Sequence, residues 1–370
     1  MKIIALSINT AWNIYNFRLG LIKALQKEGY KLVAIAPKDS YSKKLEKKGI
    51  KVFDIKMNNK GTNPIEDLKL IIDYVNIYKT LKPDLVLSYT IKPNIYGSIA
   101  AGILKIPVIS NISGLGTVFL NDSMTSKIAR NLYKIGLKFP KRVFFQNGDD
   151  RDLFIKYKLV DPKKTDLLPG SGIDTNKFAP REMQRDDKKI KFLMIARRVG
   201  DKGLYEYLQA AETIKKKYKN VEFLLLGAFY PRNPTAITKK ELNKWIHRGI
   251  INYLGESDEV YKEIEKVDCV VLPSYREGLS RVLLEASSMA KPIVTTNVPG
   301  CKEVVKEGIN GFLCKSKDYK DLAHKMEKII NLSEKERKMM GRKGREKIVK
   351  EFDEEIVIRK YIEIIKNLEK

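Results

Sequence analysis

The sequence is poor in histidine and cysteine, and both shortages argue against particular kinds of chemistry. Its 370 residues include 2 histidines and 3 cysteines. His247 and His324 are too few for a histidine-rich metal site, and a Ser-His-Asp nucleophile is not expected either. The cysteines, Cys269, Cys301 and Cys314, lack the spacing of a metal site and suit a reducing cytosol.

The sequence also lacks a long apolar run. No stretch reaches the roughly 20 apolar residues that a helix needs to span a bilayer. The longest, residues 98–109, contains Lys105. Residues 2–8 have the pattern of a β-strand rather than of a signal peptide. We therefore expect a cytoplasmic protein without a membrane-spanning helix.

Acidic residues are few compared with basic ones. The chain has 71 Lys or Arg against 45 Asp or Glu, which gives a net charge of +26. The excess is spread over both halves of the sequence. Such a charge favours nucleic acid, anionic lipid or phosphorylated ligands. A lysine-rich proteome would produce the same composition, so the charge alone leaves these interpretations open.

What the sequence does contain is a regular alternation of short apolar runs and helical patterns. Continuous runs of Val, Ile and Leu are typical of strands buried on both faces in a parallel sheet, and 370 residues suffice for two domains. We predict an α/β fold of two doubly wound, Rossmann-like domains that face each other across a cleft. The domains are residues 1–175 and 176–352, and residues 353–370 form a further helix.

The individual elements follow from the same patterns. Predicted strands are residues 3–8, 32–36, 51–55, 85–88, 108–111, 143–146, 191–196, 222–227, 251–254, 269–272 and 293–296. Predicted helices are residues 17–27, 41–48, 66–81, 95–104, 149–158, 204–217, 239–247, 259–265 and 280–289.

Two glutamates eight residues apart follow one of these strands. Residues 273–286 read PSYREGLSRVLLEA and contain Glu277 and Glu285. Gly278 permits a turn, and Ser280 fits the cap or first turn of the next helix. Glu277 then lies at the carboxyl end of the strand, with Glu285 roughly 10 Å further along the helix axis. This arrangement suits a sugar nucleotide, with one acid at the hexose, amides at the phosphates and one acid at the ribose.

The chain resembles the retaining glycosyltransferases of family 4, which have the GT-B fold and carry this pair of glutamates. The resemblance implies that the first domain binds the acceptor, that the second binds the nucleotide sugar, and that the helix of residues 353–370 crosses back to the first domain. Residues 196–203 (ARRVGDKG) match the family's phosphate-binding arginine and lysine, and residues 168–178 match its interdomain segment. Residues 88–101 and 111–119 are similar to bacterial transferases that extend undecaprenyl-diphosphate-linked sugars. Among these are enzymes that add an α-linked N-acetylhexosamine.

The resemblance implies roles for residues of the second domain. Glu277 would contact the donor hexose, while Arg197 and Lys202 would stabilise the diphosphate as its charge grows, so no metal is expected. The remaining donor contacts would be Glu285 at the ribose, Tyr253 near the base, and the backbone amides of Gly278, Leu279 and Ser280. Tyr253 fits the core equally well.

In the first domain the acceptor-side candidates stand after predicted strands. They are Asn9, Asn16, Arg18, Lys92 and Gly114, the last within the glycine-containing segment 113–116. Each is either an acceptor contact or structural. Many relatives carry a Gly-Gly pair after the first strand, and some carry a histidine in this domain; this chain has neither.

Two further segments allow alternative interpretations. Asp150 and Asp152 have the D-x-D spacing of some metal sites, but they follow a strand, and this position favours the start of a helix. Residues 123–142 form a basic amphipathic pattern. Its apolar side is either part of the core or, with its basic rim, a contact with an anionic leaflet.

Taken together, the resemblance implies a hexosyl- or N-acetylhexosaminyltransferase. The donor would be a UDP-sugar, such as UDP-N-acetylgalactosamine, and the acceptor a saccharide on undecaprenyl diphosphate in surface-glycan, O-antigen, capsule or glycoprotein assembly. The enzyme would be peripheral on the inner face of the cell membrane. The alternatives are a UDP-sugar epimerase of similar architecture, which the missing histidines disfavour, and a nucleic-acid-binding protein, which the dispersed basic residues disfavour.

Overall fold

The computed structural model divides the chain into two compact units. One consists of Met1–Gly172 with Glu354–Lys370, and the other of Ile173–Asp353. The structure describes residues 1–58, 63–115, 119, 124–181, 189–230, 233 and 235–369. Each unit contains one sheet whose strands are all parallel, with helices between them. The predicted fold class, α/β with two doubly wound domains, is confirmed.

The sheet of the first unit has seven strands in the order β3-β2-β1-β4-β5-β6-β7. In chain order these strands are β1 (Ile3–Ser7), β2 (Lys31–Ala36), β3 (Lys51–Asp54), β4 (Leu85–Tyr89), β5 (Val108–Ile112), β6 (Arg142–Phe145) and β7 (Thr165–Leu167).

The helices of the first unit connect these strands, and the last one comes from the chain's carboxyl end. They are α1 (Ala11–Phe17), α2 (Leu19–Lys27), α3 (Ser42–Glu46), α4 (Pro64–Leu81), α5 (Ser98–Ile103), α6 (Met124–Gly136), α7 (Gly148–Lys156) and α14 (Glu354–Leu368). A π-helical turn, Pro93–Gly97, leads into α5.

The sheet of the first unit is covered on both faces. Along β1, Ile4 and Leu6 belong to one apolar cluster and Ala5 to another, as the alternation of side chains in a strand requires. Helix α14 completes the first of these clusters with buried Tyr361 and Ile365. The C-terminal helix therefore belongs to the hydrophobic core of the first unit.

The sheet of the second unit has six strands in the order β10-β9-β8-β11-β12-β13. The strands are β8 (Ile190–Ile195), β9 (Val221–Leu226), β10 (Asn252–Tyr253), β11 (Cys269–Leu272), β12 (Ile293–Thr296) and β13 (Gly311–Cys314). Its helices are α8 (Leu204–Lys217), α9 (Lys239–His247), α10 (Val260–Glu265), α11 (Arg281–Ser288), α12 (Tyr319–Asn331) and α13 (Glu334–Glu351).

Local sequence explains where several helices begin. The side chain of Asn147 accepts a hydrogen bond from the amide of Asp150, so the two aspartates of the D-x-D pattern start helix α7 as predicted. Ser333 and Glu336 form a reciprocal capping box at the start of α13. These caps satisfy backbone donors that the first helical turn leaves open.

The sequence-based assignment missed several elements. The missed strands are β7 and β13, which both lie at sheet edges. The missed helices are α1, α12 and α13. The predicted helix 95–104 is divided between the π-helical turn and α5. None of the helices in the described parts of the chain has the length and apolarity that crossing a bilayer requires.

Candidate active site

Glu277 lies in the loop between β11 and α11, where two side chains hold its carboxylate. The hydroxyl of Ser274 donates to Glu277 Oε1 at 2.7 Å, and the ammonium of Lys202 donates to the same oxygen. Ser274 is fully buried, and the side chains of Lys202 and Glu277 are mostly buried. Glu277 and Lys202, which the sequence assigns to the reaction, are therefore in direct contact. Ser274 also contacts Glu277 and was not predicted.

Lys202 reaches Glu277 because the loop after β8 packs closely on the loop after β11. Gly203 has a φ of 73°, and a Cβ there would lie 2.1 Å from the carbonyl oxygen of Pro273. Only glycine permits this backbone conformation together with this approach. The amide of Tyr275 also donates to the carbonyl of Asp201 at 3.0 Å, which joins the two loops directly.

The loop after β12 packs against the backbone of Glu277. Gly300 has a φ of 81°, and a Cβ there would lie 2.4 Å from the backbone carbon of Glu277. The amide of Glu277 donates to the carbonyl of Pro299 at 3.0 Å. Gly300 is thus the glycine that adopts a positive φ beside Glu277, whereas Gly278, where the sequence allows a turn, does not have a positive φ.

One predicted donor contact is wrong. The backbone amide of Ser280 donates to the carbonyl of Gly300 at 2.8 Å, so it is not available to a sugar or phosphate. A buried amide has to find such a partner within the protein. Ser280 does occupy the N-cap position of α11, but its side chain makes no capping bond there. Leu279 packs partly buried against the core, and Gly278 is buried.

Glu285 lies in the second turn of α11 and is 8% exposed. Arg281, one turn earlier, donates from Nε to Glu285 Oε1 at 3.0 Å. Burial raises the pKa of the Glu285 carboxyl above its ordinary value, and the positive charge and hydrogen bond of Arg281 oppose that rise. Glu285 is therefore not a solvated helix residue, as its apolar neighbours predicted.

The adjacent arginines after β8 have opposite environments. Arg197 is exposed, and its guanidinium lies 5.2 Å from the centre of the Tyr230 ring. Arg198 is 5% exposed and lies between the rings of Phe229, at 4.8 Å, and Tyr253, at 4.6 Å. Of the two, Arg197 is the one that a ligand can reach, and this is the arginine that the resemblance selects.

Tyr253 has a structural role in this arrangement. Its hydroxyl donates to the carbonyl of Gly227 at 3.0 Å, and its ring supports the guanidinium of Arg198. These contacts favour the interpretation of Tyr253 as part of the packed interior over a contact with the nucleotide base.

The acceptor-side candidates of the first unit contact structural partners. The amide group of Asn16 donates to the carbonyl of Trp12 at 2.9 Å within α1. Arg18 is buried, with its guanidinium 4.4 Å from the centre of the Tyr89 ring.

Lys92 reaches helix α4. Its ammonium pairs with Asp67 at 2.6 Å, and both side chains are largely buried. The hydroxyl of Tyr96 donates to the second oxygen of Asp67 at 2.6 Å. This closed set of contacts favours a structural role for Lys92.

Asn9 is half-buried after β1, and Gly114 has a φ of 126°, a backbone conformation reserved for glycine. Gly116, at the end of the predicted glycine-containing segment, lies outside the described residues, as does Ser123 at the start of the amphipathic pattern. Within the described ranges, no group of three or more His, Cys, Asp or Glu side chains is placed to hold a metal ion.

Comparison with known families covers both units. The family described as "Glycosyl transferase 4-like" matches residues 3–147, and that described as "Glycosyl transferases group 1" matches residues 176–347. The chain belongs to the group 1, family 4-like glycosyltransferases. It is accordingly an enzyme that transfers a sugar.

Named relatives of this glycosyltransferase act on lipid-linked sugars. It is 29% identical to the N,N'-diacetylbacillosaminyl-diphospho-undecaprenol alpha-1,3-N-acetylgalactosaminyltransferase of Campylobacter jejuni, over 96% of this chain and 97% of the relative. It is 26% identical to the UDP-Gal:alpha-D-GlcNAc-diphosphoundecaprenol alpha-1,3-galactosyltransferase of Escherichia coli, over 86% and 83% of the two chains.

Among solved structures, the fold matches that of Anabaena HepE crystallised with UDP. The TM-score is 0.79 at 20% identity, and the match covers 99% of this chain and all of that one. At this identity the similarity establishes the fold.

Proposed function

We propose that this glycosyltransferase moves a hexose or N-acetylhexosamine from a UDP-sugar to a saccharide carried on undecaprenyl diphosphate, with retention of configuration. The acceptor class is supported by the names of the Campylobacter jejuni and Escherichia coli relatives. The UDP donor is supported by the name of the Escherichia coli relative and by the bound UDP of Anabaena HepE. N-acetylgalactosamine is the proposed sugar because the more similar relative transfers it.

The observation that carries the proposal is the contact of Lys202 and Ser274 with one oxygen of Glu277. It stands at the carboxyl ends of parallel strands, where ligands bind in such sheets. Exposed Arg197 follows β8 in the same chain segment as Lys202. The site thus offers two cations for a diphosphate and a fixed carboxylate for a sugar.

In the proposed reaction an acceptor hydroxyl oxygen forms a bond to the anomeric carbon of the donor sugar. The bond from that carbon to the phosphate oxygen breaks on the same face, and its electron pair stays on the departing UDP. The hydroxyl proton passes to a phosphate oxygen of UDP. Arg197 and Lys202 stabilise the charge that grows there, so the transfer requires no metal ion.

Glu277 and Glu285 have different proposed roles. Glu277 accepts hydrogen bonds from hydroxyls of the transferred sugar, because Ser274 and Lys202 fix its carboxylate before the donor arrives. Glu285 binds the ribose hydroxyls, and Arg281 orients it. The enzyme acts in the cytoplasm at the inner face of the cell membrane, where a lipid-linked acceptor is presented.

The test is a transfer assay with purified protein and a panel of UDP-sugars. Undecaprenyl-diphosphate-linked saccharide serves as acceptor, in the presence and absence of a metal chelator. We expect an α-linked product with one UDP-N-acetylhexosamine, at a rate the chelator leaves unchanged. Sugar release or epimerisation that needs no acceptor, or binding of DNA without any sugar-nucleotide turnover, would overturn the proposal.

A further inference from the structure

Helix α1 exposes an aromatic side chain shortly after the first strand. Trp12 is the second residue of α1, close behind the end of β1, and it is 43% exposed. The other tryptophan of the chain, Trp245, packs partly buried against the core of the second unit. A single exposed apolar residue needs no explanation in itself. What gives Trp12 significance is its place in the fold and the way it is held.

The place of Trp12 distinguishes it from the other exposed aromatic residues of the first unit. In the described part of that unit these are Trp12, Phe139 and Tyr157, at 43%, 38% and 43% exposure. Phe139 precedes β6 and Tyr157 precedes β7, in connections that lead to the amino-terminal edge of the sheet. Trp12 is the one of the three that follows a strand, and ligands of parallel sheets bind at that carboxyl edge.

Hydrogen bonds hold the backbone of Trp12 on both sides. Its amide donates to Asp39 Oδ2 at 3.0 Å, and its carbonyl accepts from Asn16 Nδ2 at 2.9 Å. Asp39 lies in the loop after β2, the strand that pairs with β1. The second carboxylate oxygen of Asp39 accepts the amide of Tyr41 at 2.8 Å. The turn that carries Trp12 is therefore tied to the loop beside it.

A second ring positions the indole. The ring centres of Trp12 and Phe17 are 5.1 Å apart, and the ring planes are at 88° to each other. This edge-to-face arrangement is favourable for an aromatic pair, and it covers less ring surface than stacking does. An aromatic side chain has few rotatable bonds, so it loses little conformational entropy when a ligand covers it. Trp12 thus offers a flat, pre-organised surface to water.

A flat indole at this edge suits a sugar ring. One face of a pyranose consists largely of C–H groups, which pack on the electron-rich face of an aromatic ring, while the hydroxyls stay at the rim. The groups proposed to hold the donor, Glu277, Lys202 and Arg197, all belong to the second unit. The sugar that fits the first unit is therefore one from the acceptor.

We infer that Trp12 is a platform on which a sugar ring of the acceptor saccharide stacks. The inference rests on the proposed function and deepens it, because it assigns the sugar, rather than the lipid or its diphosphate, to this edge of the first sheet. Trp12 binds the acceptor and takes no part in bond breaking. It should govern the KM for the acceptor and leave kcat and the KM for the UDP-sugar unchanged.

The first test is a fluorescence titration that needs no turnover. In Trp245→Phe, Trp12 is the one remaining tryptophan, and a ligand that covers its indole should shift the emission to shorter wavelength. The probes are free saccharides that end in a hexose or an N-acetylhexosamine, with UDP for comparison. We expect a saturable shift with at least one saccharide and none with UDP. Trp12→Phe, which retains Trp245, should show no shift.

Three results of the titration would overturn the platform. The first is the absence of a shift with every saccharide. The second is a shift with UDP as large as that with a saccharide, because Trp12 would then belong to the donor site. The third is an equal shift in Trp12→Phe, because the signal would then come from Trp245 in the second unit.

Transfer kinetics with a water-soluble acceptor, in which a short alkyl chain replaces undecaprenyl, give the second test. Trp12→Ala should raise the KM for the acceptor by about 10- to 100-fold, the loss typical of an aromatic anchor. Trp12→Phe keeps a ring and should lose at most about fivefold. Tyr157→Ala, equally exposed at the other edge of the sheet, is the matched control and should keep the wild-type KM. Equal increases in the KM for both substrates, with a lower melting temperature, would show a purely structural role.

Three comparisons separate this inference from the proposed function. Glu277→Ala should keep the saccharide shift while turnover falls, because Glu277 belongs to the other unit. If the shift is present and the wild type transfers no sugar, the platform stands without the proposed reaction. If the wild type transfers sugar and neither the shift nor the acceptor KM depends on Trp12, the reaction stands without the platform.

Discussion

Charged residues follow strands in both sheets, but their contacts differ in kind. In the second unit, Lys202 and Ser274 share one partner, because both donate a hydrogen bond to Glu277 Oε1. In the first unit, Arg18 contacts Tyr89 and Lys92 contacts Asp67, and no candidate contacts another candidate there among the described contacts. Mutual contact indicates a shared task at one place, whereas separate contacts indicate that each side chain stabilises its own part of the fold.

The most direct test of this difference between the two units is to remove the carboxylate of Glu277. We expect Glu277→Ala and Glu277→Gln each to lower kcat/KM for the UDP-sugar by about 100- to 1000-fold, the loss typical for one preorganised polar group. Steady-state kinetics with saturating acceptor measure the effect. Glu334→Gln, an exposed glutamate on α13, is the matched control. Turnover near wild type in both Glu277 variants would remove the site assignment.

The next largest effect separates the two adjacent arginines. Arg197→Met should lower kcat by about 100-fold with little change in melting temperature, because its exposed guanidinium acts on the departing diphosphate. Arg198→Met should instead lower the melting temperature, since it loses two cation–π contacts of about 0.5–2 kcal/mol each. The reverse pattern would transfer the diphosphate contact to Arg198.

A smaller and pH-dependent effect is expected at Glu285. Glu285→Gln should raise the KM for the UDP-sugar about 10- to 100-fold, the value of one hydrogen bond to a charged group. The same change should stabilise the free protein at neutral pH. Burial raises the pKa of the Glu285 carboxyl in the folded protein. The protonated carboxyl is therefore compatible with the fold, and the free energy of unfolding decreases as the pH rises through that pKa and the buried group becomes charged.

Melting curves across pH test the second part of this prediction. The advantage of Glu285→Gln should vanish below the pKa of an unfolded glutamate, about 4.3, where both states carry the proton. It should appear as pH increases through the raised pKa of the folded protein. A difference that is constant with pH would show that packing, and not ionisation, causes it.

The smallest effect on catalysis is expected in the first unit. Lys92→Met should destabilise the protein by about 1–3 kcal/mol, because it leaves the largely buried Asp67 without its cation. Turnover should be close to that of wild type at a temperature where the variant is folded. Lys79→Met, at an exposed lysine on α4, controls for charge. A fall in kcat/KM without loss of stability would restore Lys92 to the acceptor site.

The sequence predicted the central strands better than the edges. Strands β11 and β12 have the predicted bounds, because strands buried on both faces need continuous aliphatic runs. Strand β7 was missed because an edge strand can be less completely buried and then carries a weaker apolar pattern; no residue of β7 is fully buried. Strand β13 was missed although three of its four residues are buried. Helix α1 was missed because its seven residues are too short for a clear periodicity.

Within the candidate site, spacing along the chain predicted which residues come together but not all of their contacts. Lys202 and Glu277 are 75 residues apart, yet the strand ends that carry them are neighbours in a parallel sheet. The hydrogen bond of the Ser280 amide to Gly300 could not be predicted, because it depends on the path of the loop after β12. Ser274 could have been found as the polar residue closest to the end of β11.

The close approach of backbone at Gly203 and Gly300 has a consequence for engineering. There is no room for even a methyl group at Gly203, which faces Pro273, or at Gly300, which faces Glu277, so we expect the three loops to shift only as one block. Attempts to alter sugar preference by inserting or deleting residues in any single loop would dislocate the other two. New specificities should therefore be sought through point exchanges of outward-facing side chains, with both glycines held constant in any combinatorial library.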